Sequence, residues 1–147
     1  MRLVLLAGLL LLANCGPKPA TVEDFNTQPV TLPGGQVIRA ETMLRDFDVQ
    51  RGMMFRKSIA PDHGMLSVHP RPGHYPYWMY QTLIPLDIIW LDSNHKIVEM
   101  AENTPPCKTQ ASQCPHYGGI EMSSYVLELG GGMARRYGLR LGQTIQW

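Results

Sequence analysis

The stretch that most constrains this chain is the apolar run Leu86-Asp87-Ile88-Ile89-Trp90-Leu91, bounded by Pro85 before it and Ser93-Asn94 after it. Bulky and β-branched residues in so short a run predict a strand buried on both faces, so other elements must cover it from either side. Pro85 has no N–H to give a ladder and marks where the strand begins. Asp87 is the one charge inside the run. Burying a carboxyl group without partners costs several kcal/mol, so Asp87 must be paired or turned to a wet cleft.

The rest of the chain supplies the cover. Residues 29–32 and 36–44 flank Pro33-Gly34-Gly35 and read as a β-hairpin. Residues 46–57 carry acids at the front and bases at the back, as a helix dipole prefers. In that helix Phe47, Gln50, Arg51, Met54 and Phe55 would lean on the sheet. Gly52 would weaken it by about 1 kcal/mol relative to alanine, which points to a close backbone approach there. Residues 62–69 read as a strand and 70–76 as a Pro/Gly loop. Ser93-Asn94-His95 turns the chain so that residues 96–101 pair antiparallel with the apolar run. Residues 103–120 form a long loop, of the kind more often used as a binding edge than as a connector. Residues 123–129 are a further strand, stopped by Gly130-Gly131-Gly132. Residues 133–137 are one or two helical turns ended by Gly138, and 139–147 give a turn and an edge strand. Most connections are too short for parallel crossovers. The expected architecture is therefore α+β: a mainly antiparallel β-sheet or partly closed barrel with two or three short helices.

The front of the chain reads differently. Met1-Arg2 and the Leu, Val and Ala-rich residues 3–13 have the basic start and short apolar core of a signal peptide, assigned to residues 1–14. Leu12-Ala13-Asn14-Cys15 resembles a bacterial lipobox, although Asn14 departs from the small residue usual before the cysteine. Cys15 would then be lipidated, residues 15–28 a tether, and residues 29–147 a single domain held at the periplasmic side of the cell envelope. Beyond residue 14 the chain carries 12 basic and 12 acidic residues, without the basic excess that a nucleic-acid surface needs.

Cys107 and Cys114 remain once Cys15 is set aside. Six residues, all polar but Ala111, separate them, and an oxidising compartment favours a local disulfide worth roughly 2–3 kcal/mol in the loop-entropy model. A metal site of Cys107, Cys114 and His116 is the alternative. The spacing is not that of a structural zinc site, and the five histidines lack a helical pair, so neither metal nor cofactor is expected.

Several blocks recur in fixed order: Arg51-Gly52-Met53-Met54-Phe55-Arg56, Gly64-Met65-Leu66, Trp78-Met79, Thr82-Leu83-Ile84-Pro85-Leu86-Asp87, Val126-Leu127-Glu128-Leu129, and Gly138 with Gly142. Together, over residues 36–147, they resemble the prokaryotic family catalogued as domain of unknown function one hundred ninety-two. The resemblance implies a small, mainly antiparallel β domain with short helices, often exported, with no established activity. Where that family usually reads Trp-Met-Lys-Asn-Thr, this chain has Trp78-Met79-Tyr80-Gln81-Thr82, and Gln143 stands where an aspartate is common.

Two function classes follow. The first is a non-catalytic module binding a small ligand or an envelope protein, its candidate pocket edged by Trp78, Met79, Tyr80, Asp87, Glu128, Arg51 and Arg56. The second is a hydrolase or lyase using Asp87 and Glu128 as acid and base. Against the second stands a structural role, in which each carboxyl group pairs with Arg51 or Arg56 to pin helix to sheet. Neither a Gly-x-Ser-x-Gly elbow nor a phosphate loop is present. A partner surface on the loop from Cys107 to Cys114 is a third reading.

Overall fold

The computed structural model describes residues 27–147, so the signal peptide and lipobox assignments lie outside the described residues. Six strands form one mixed sheet in the order β1-β2-β3-β8-β5-β6. These are β1 (Thr27–Thr31), β2 (Val37–Met43), β3 (His63–Gly73), β5 (Leu86–Leu91), β6 (Ile97–Thr104) and β8 (Ser123–Gly130). A separate ribbon pairs β4 (Tyr77–Trp78) with β7 (His116–Tyr117). Helices α1 (Asp46–Arg51) and α2 (Met133–Arg136) are short. Thr27 and Gln28, assigned to the tether, belong to β1.

Local turn chemistry accounts for the hairpins. Gly35 takes φ 83° and donates to the Leu32 carbonyl, closing β1 onto β2. Asp92 Oδ1 accepts from the Asn94 and Lys96 backbones, closing β5 onto β6. The expected β-rich α+β fold is present and its sheet is mainly antiparallel, with one parallel pairing; the barrel alternative is corrected. β2 and β3 run parallel, because the stretch through α1 is long enough for the chain to return in the same direction. The sheet is also not closed into a barrel. Its C-terminal segment makes isolated bridges instead, Thr31 with Gln146 and Lys96 with Thr144, linking the two outer strands without a continuous ladder.

β5 is buried at every residue between β8 and β6. Its alternation divides the core. Ile89 and Leu91 join Leu127, Leu129, Leu66 and Ile38 on one face, with Ala134 of α2. Leu86, Ile88 and Trp90 join Met53, Met65, Met79 and Val126 on the other. Trp90 donates its indole N–H to the Tyr75 carbonyl at 2.7 Å. A Cβ on Gly118 would fall 2.4 Å from that indole, so glycine there lets the loop close over the ring.

Helix α1 ends earlier than expected and buries no residue. Gly52 stops it at φ 45°, ψ −130°, a conformation open essentially to glycine. Phe47 and Phe55 are 71% and 56% exposed, so the apolar side of this segment faces out and only Met53 enters the core. Cys107 and Cys114 form the expected disulfide.

Candidate functional site

Asp87 and Glu128 do not meet. In the β5–β8 ladder Asp87 stands opposite Leu129 and Ile88 opposite Glu128. Residues directly opposite share a face, and neighbours along a strand do not. The two carboxyl groups therefore project to opposite sides of the sheet, and the expected acid-base pair is corrected on that ground.

Asp87 has a structural task. Its Oδ1 accepts from the Asn103 N–H at 2.6 Å and the Gly132 N–H at 3.0 Å, and its Oδ2 from the Ala134 N–H at 2.6 Å. One buried side chain thus ties β5 to the end of β6 and to the start of α2. These are backbone partners, so the expected arginine pairing of Asp87 is corrected too. Met79, 1% exposed, belongs to the core and not to a pocket wall.

Glu128 is on the other face, 5% exposed, beside Met65 of β3 and Ile88 of β5. Its Oε2 is buried and has no hydrogen-bond partner. Burial raises its pKa to about 7, with the charge of Arg56 acting in the opposite direction. Arg56 itself forks onto both oxygens of Glu41, through Nη1 and through Nη2 at 2.6 Å.

Above Glu128 lies a cleft in two connected compartments. The inner one, about 200 Å³, is lined by Glu128, Gly52, Met53, His69, Tyr77 and Trp78, among others. The outer one, about 730 Å³, has Phe47, Phe55, Trp78, Tyr80 and His116 on its walls. Arg51, Met54 and Trp78 border both. Of the residues singled out in the sequence, Arg51, Trp78, Tyr80 and Glu128 come together here. Arg56 lines a neighbouring hollow of about 340 Å³ with Glu41 and Met65.

The rings of Tyr77 and His69 in the inner wall are held neutral. Burial pushes the Tyr77 hydroxyl well above its ordinary range, with the Glu128 charge adding to the effect. It also pushes the His69 imidazole below its ordinary value. The two are in contact, Tyr77 Oη 3.2 Å from His69 Nε2, and His69 stacks on Tyr75 with ring centroids 3.6 Å apart. At the mouth Trp78 stacks on His116 at 5.8 Å and tilts against Tyr80 at 5.3 Å. The β4–β7 ribbon fixes the first pairing, and the disulfide fastens the loop that carries β7. Phe55 and Gln81, both at positive φ, meet through the Phe55 N–H and the Gln81 carbonyl at 2.9 Å. Such backbone costs of order 1–3 kcal/mol and gathers at ligand clamps. Sequence reasoning missed His69 and Phe55. Period-two alternation from Met65 through Ser67 puts His69 on the side of Met65, but only the β3–β8 register, with Met65 opposite Glu128, puts it on the face of Glu128.

Among the described residues no cluster of histidine, cysteine and acidic side chains could hold a metal, and no helix is long and apolar enough to cross a membrane. The fold and cleft define a small mixed β domain with an aromatic pocket over a buried carboxyl group. The chain belongs to the DUF192 family, described as uncharacterized ACR, whose model matches residues 29–147. It is similar to a protein of unknown function from Novosphingobium aromaticivorans, at 28% identity and TM-score 0.74, covering 91% of this chain and 94% of that one. A Sinorhizobium meliloti protein described as a proposed transcription regulator is also similar, at 28% identity and TM-score 0.69, over 80% and 89% of the two chains. No curated protein matches.

Proposed function

We propose that this domain is a non-catalytic binding module that takes a small ligand into the cleft beneath Trp78. The observation that carries this reading is Glu128 Oε2, a buried polar atom without a partner at the floor of an aromatic pocket. Such an atom costs free energy in the empty domain and gains most from a ligand that supplies a hydrogen bond. The opposed directions of Asp87 and Glu128 remove the acid-base pair on which a hydrolase or lyase would rest. A fragment screen by ¹H–¹⁵N NMR tests the reading. Hits are expected to perturb the Trp78 indole and the Gly52 amide, and Trp78→Ala to weaken them about tenfold, near 1.4 kcal/mol. Hits scattered over the surface and indifferent to Trp78→Ala would contradict it.

The same reading places the module at the periplasmic side of the envelope, tethered to the membrane by a lipid on Cys15. The basic start, apolar residues 3–13 and the lipobox-like Leu12-Ala13-Asn14-Cys15 support it. Cys15→Ser should move the protein from the membrane fraction to the soluble fraction of the envelope. A variant that stays with the membrane would argue against lipidation.

A further inference from the structure

We propose that the ligand is a small organic cation, its ammonium head donating to Glu128 Oε2 and its flat or apolar body lying along Trp78 toward the outer compartment. This deepens the reading of the cleft as a binding site and rests on it.

Three observations select a cation. First, Glu128 Oε2 is buried with its acceptor capacity unused, in a side chain that lines the inner compartment. A charged N–H donor satisfies it with a shorter and stronger bond than a neutral one. Second, the surrounding wall carries uncharged aromatic rings. His69 lies stacked on Tyr75, Tyr77 stands edge-on to His69, and Trp78 borders both compartments. Such walls attract ammonium groups, most strongly where water is excluded. Third, the positive side chains nearby do not compete for the floor. Arg51 borders both compartments but is solvent-exposed and makes no hydrogen bond to Glu128 Oε2, while Arg56 is forked on Glu41. The raised pKa of Glu128 fits a site that ionises when its counter-ion arrives. An anion would face this carboxyl group. A neutral alcohol would satisfy the oxygen without the ion pair.

Three probes sharing one indole ring separate these cases: tryptamine, its neutral isostere tryptophol, and indole-3-acetate. They would be titrated at neutral pH into the full chain and followed by NMR. Tryptamine is expected to bind at least about tenfold tighter than tryptophol, with indole-3-acetate weakest. In Glu128→Gln the tryptamine advantage should shrink to within about twofold. Tryptophol binding as tightly as tryptamine, or an advantage that survives Glu128→Gln, would overturn the cation while leaving the cleft as a binding site. Failure of all three probes to perturb cleft resonances would count against both. The wild-type ranking decides the question even if Glu128→Gln does not fold.

Discussion

Replacing Asp87 with alanine is expected to destabilise the domain by about 3–5 kcal/mol, a loss readable as a lower urea midpoint. The side chain accepts three backbone hydrogen bonds, from Asn103, Gly132 and Ala134. Truncation leaves those donors without their acceptor in a dry place, at about 1–3 kcal/mol for each group that finds no substitute. The damage would spread, because the three donors belong to β6 and to the turn into α2. Asn103 also holds a positive φ of 50° that this contact helps to maintain. Asp87→Asn keeps one acceptor oxygen but turns an N–H₂ toward a backbone donor, so it should lie between wild type and alanine. A loss below about 1 kcal/mol for the alanine variant would mean that water or a rearranged turn replaces the carboxyl group.

The second large effect is on pH dependence. Folded Glu128 keeps its proton up to about 7, against a usual value of 4.5. Between these values the folded state holds a proton that the unfolded chain has released. Stability therefore falls as pH rises through that window and levels off above it. The difference amounts to roughly 3 kcal/mol. His69 works in the opposite sense, since its lowered pKa favours folding as pH rises. Comparison with Glu128→Gln separates the two. The variant should lose the decline and be more stable than wild type at alkaline pH, by chemical denaturation across the series. Parallel curves for the two proteins would show that Glu128 titrates normally.

Much of this fold was legible because its signals are local. Pro85 and the apolar run located β5. Pro33-Gly34-Gly35 and Ser93-Asn94-His95 located two hairpins, and the glycines around residues 133–136 framed α2. What could not be read depends on partners distant in sequence. Alternation places Asp87 and Ile88 on opposite faces of β5, but only the register with β8 shows that Glu128 follows Ile88. The parallel β2–β3 pairing is non-local in the same way. Two-residue strands such as β4 and β7 are too short to leave a periodic trace, although they set Trp78 against His116.

Helix α1 failed for another reason. The rule that an amphipathic face turns inward predicts its apolar residues against the sheet, yet Phe47 and Phe55 line an open cleft. The family pattern adds a detail at the same place. Asparagine, usual at the position of Gln81, tolerates a left-handed backbone, and Gln81 adopts φ 54°. That position is held by backbone geometry, whereas Tyr80, where lysine is usual, widens the aromatic lip.

The most direct measurement is the titration of the Glu128 side-chain carbon in protein ¹³C-labelled at glutamate, with Glu128→Gln supplying the assignment. A midpoint near 7 is expected if the carboxyl group lies dry and unpartnered beneath the aromatic walls. A midpoint near the usual 4.5 would mean a hydrated or hydrogen-bonded Glu128, and the cleft would lose the feature that makes it a binding site.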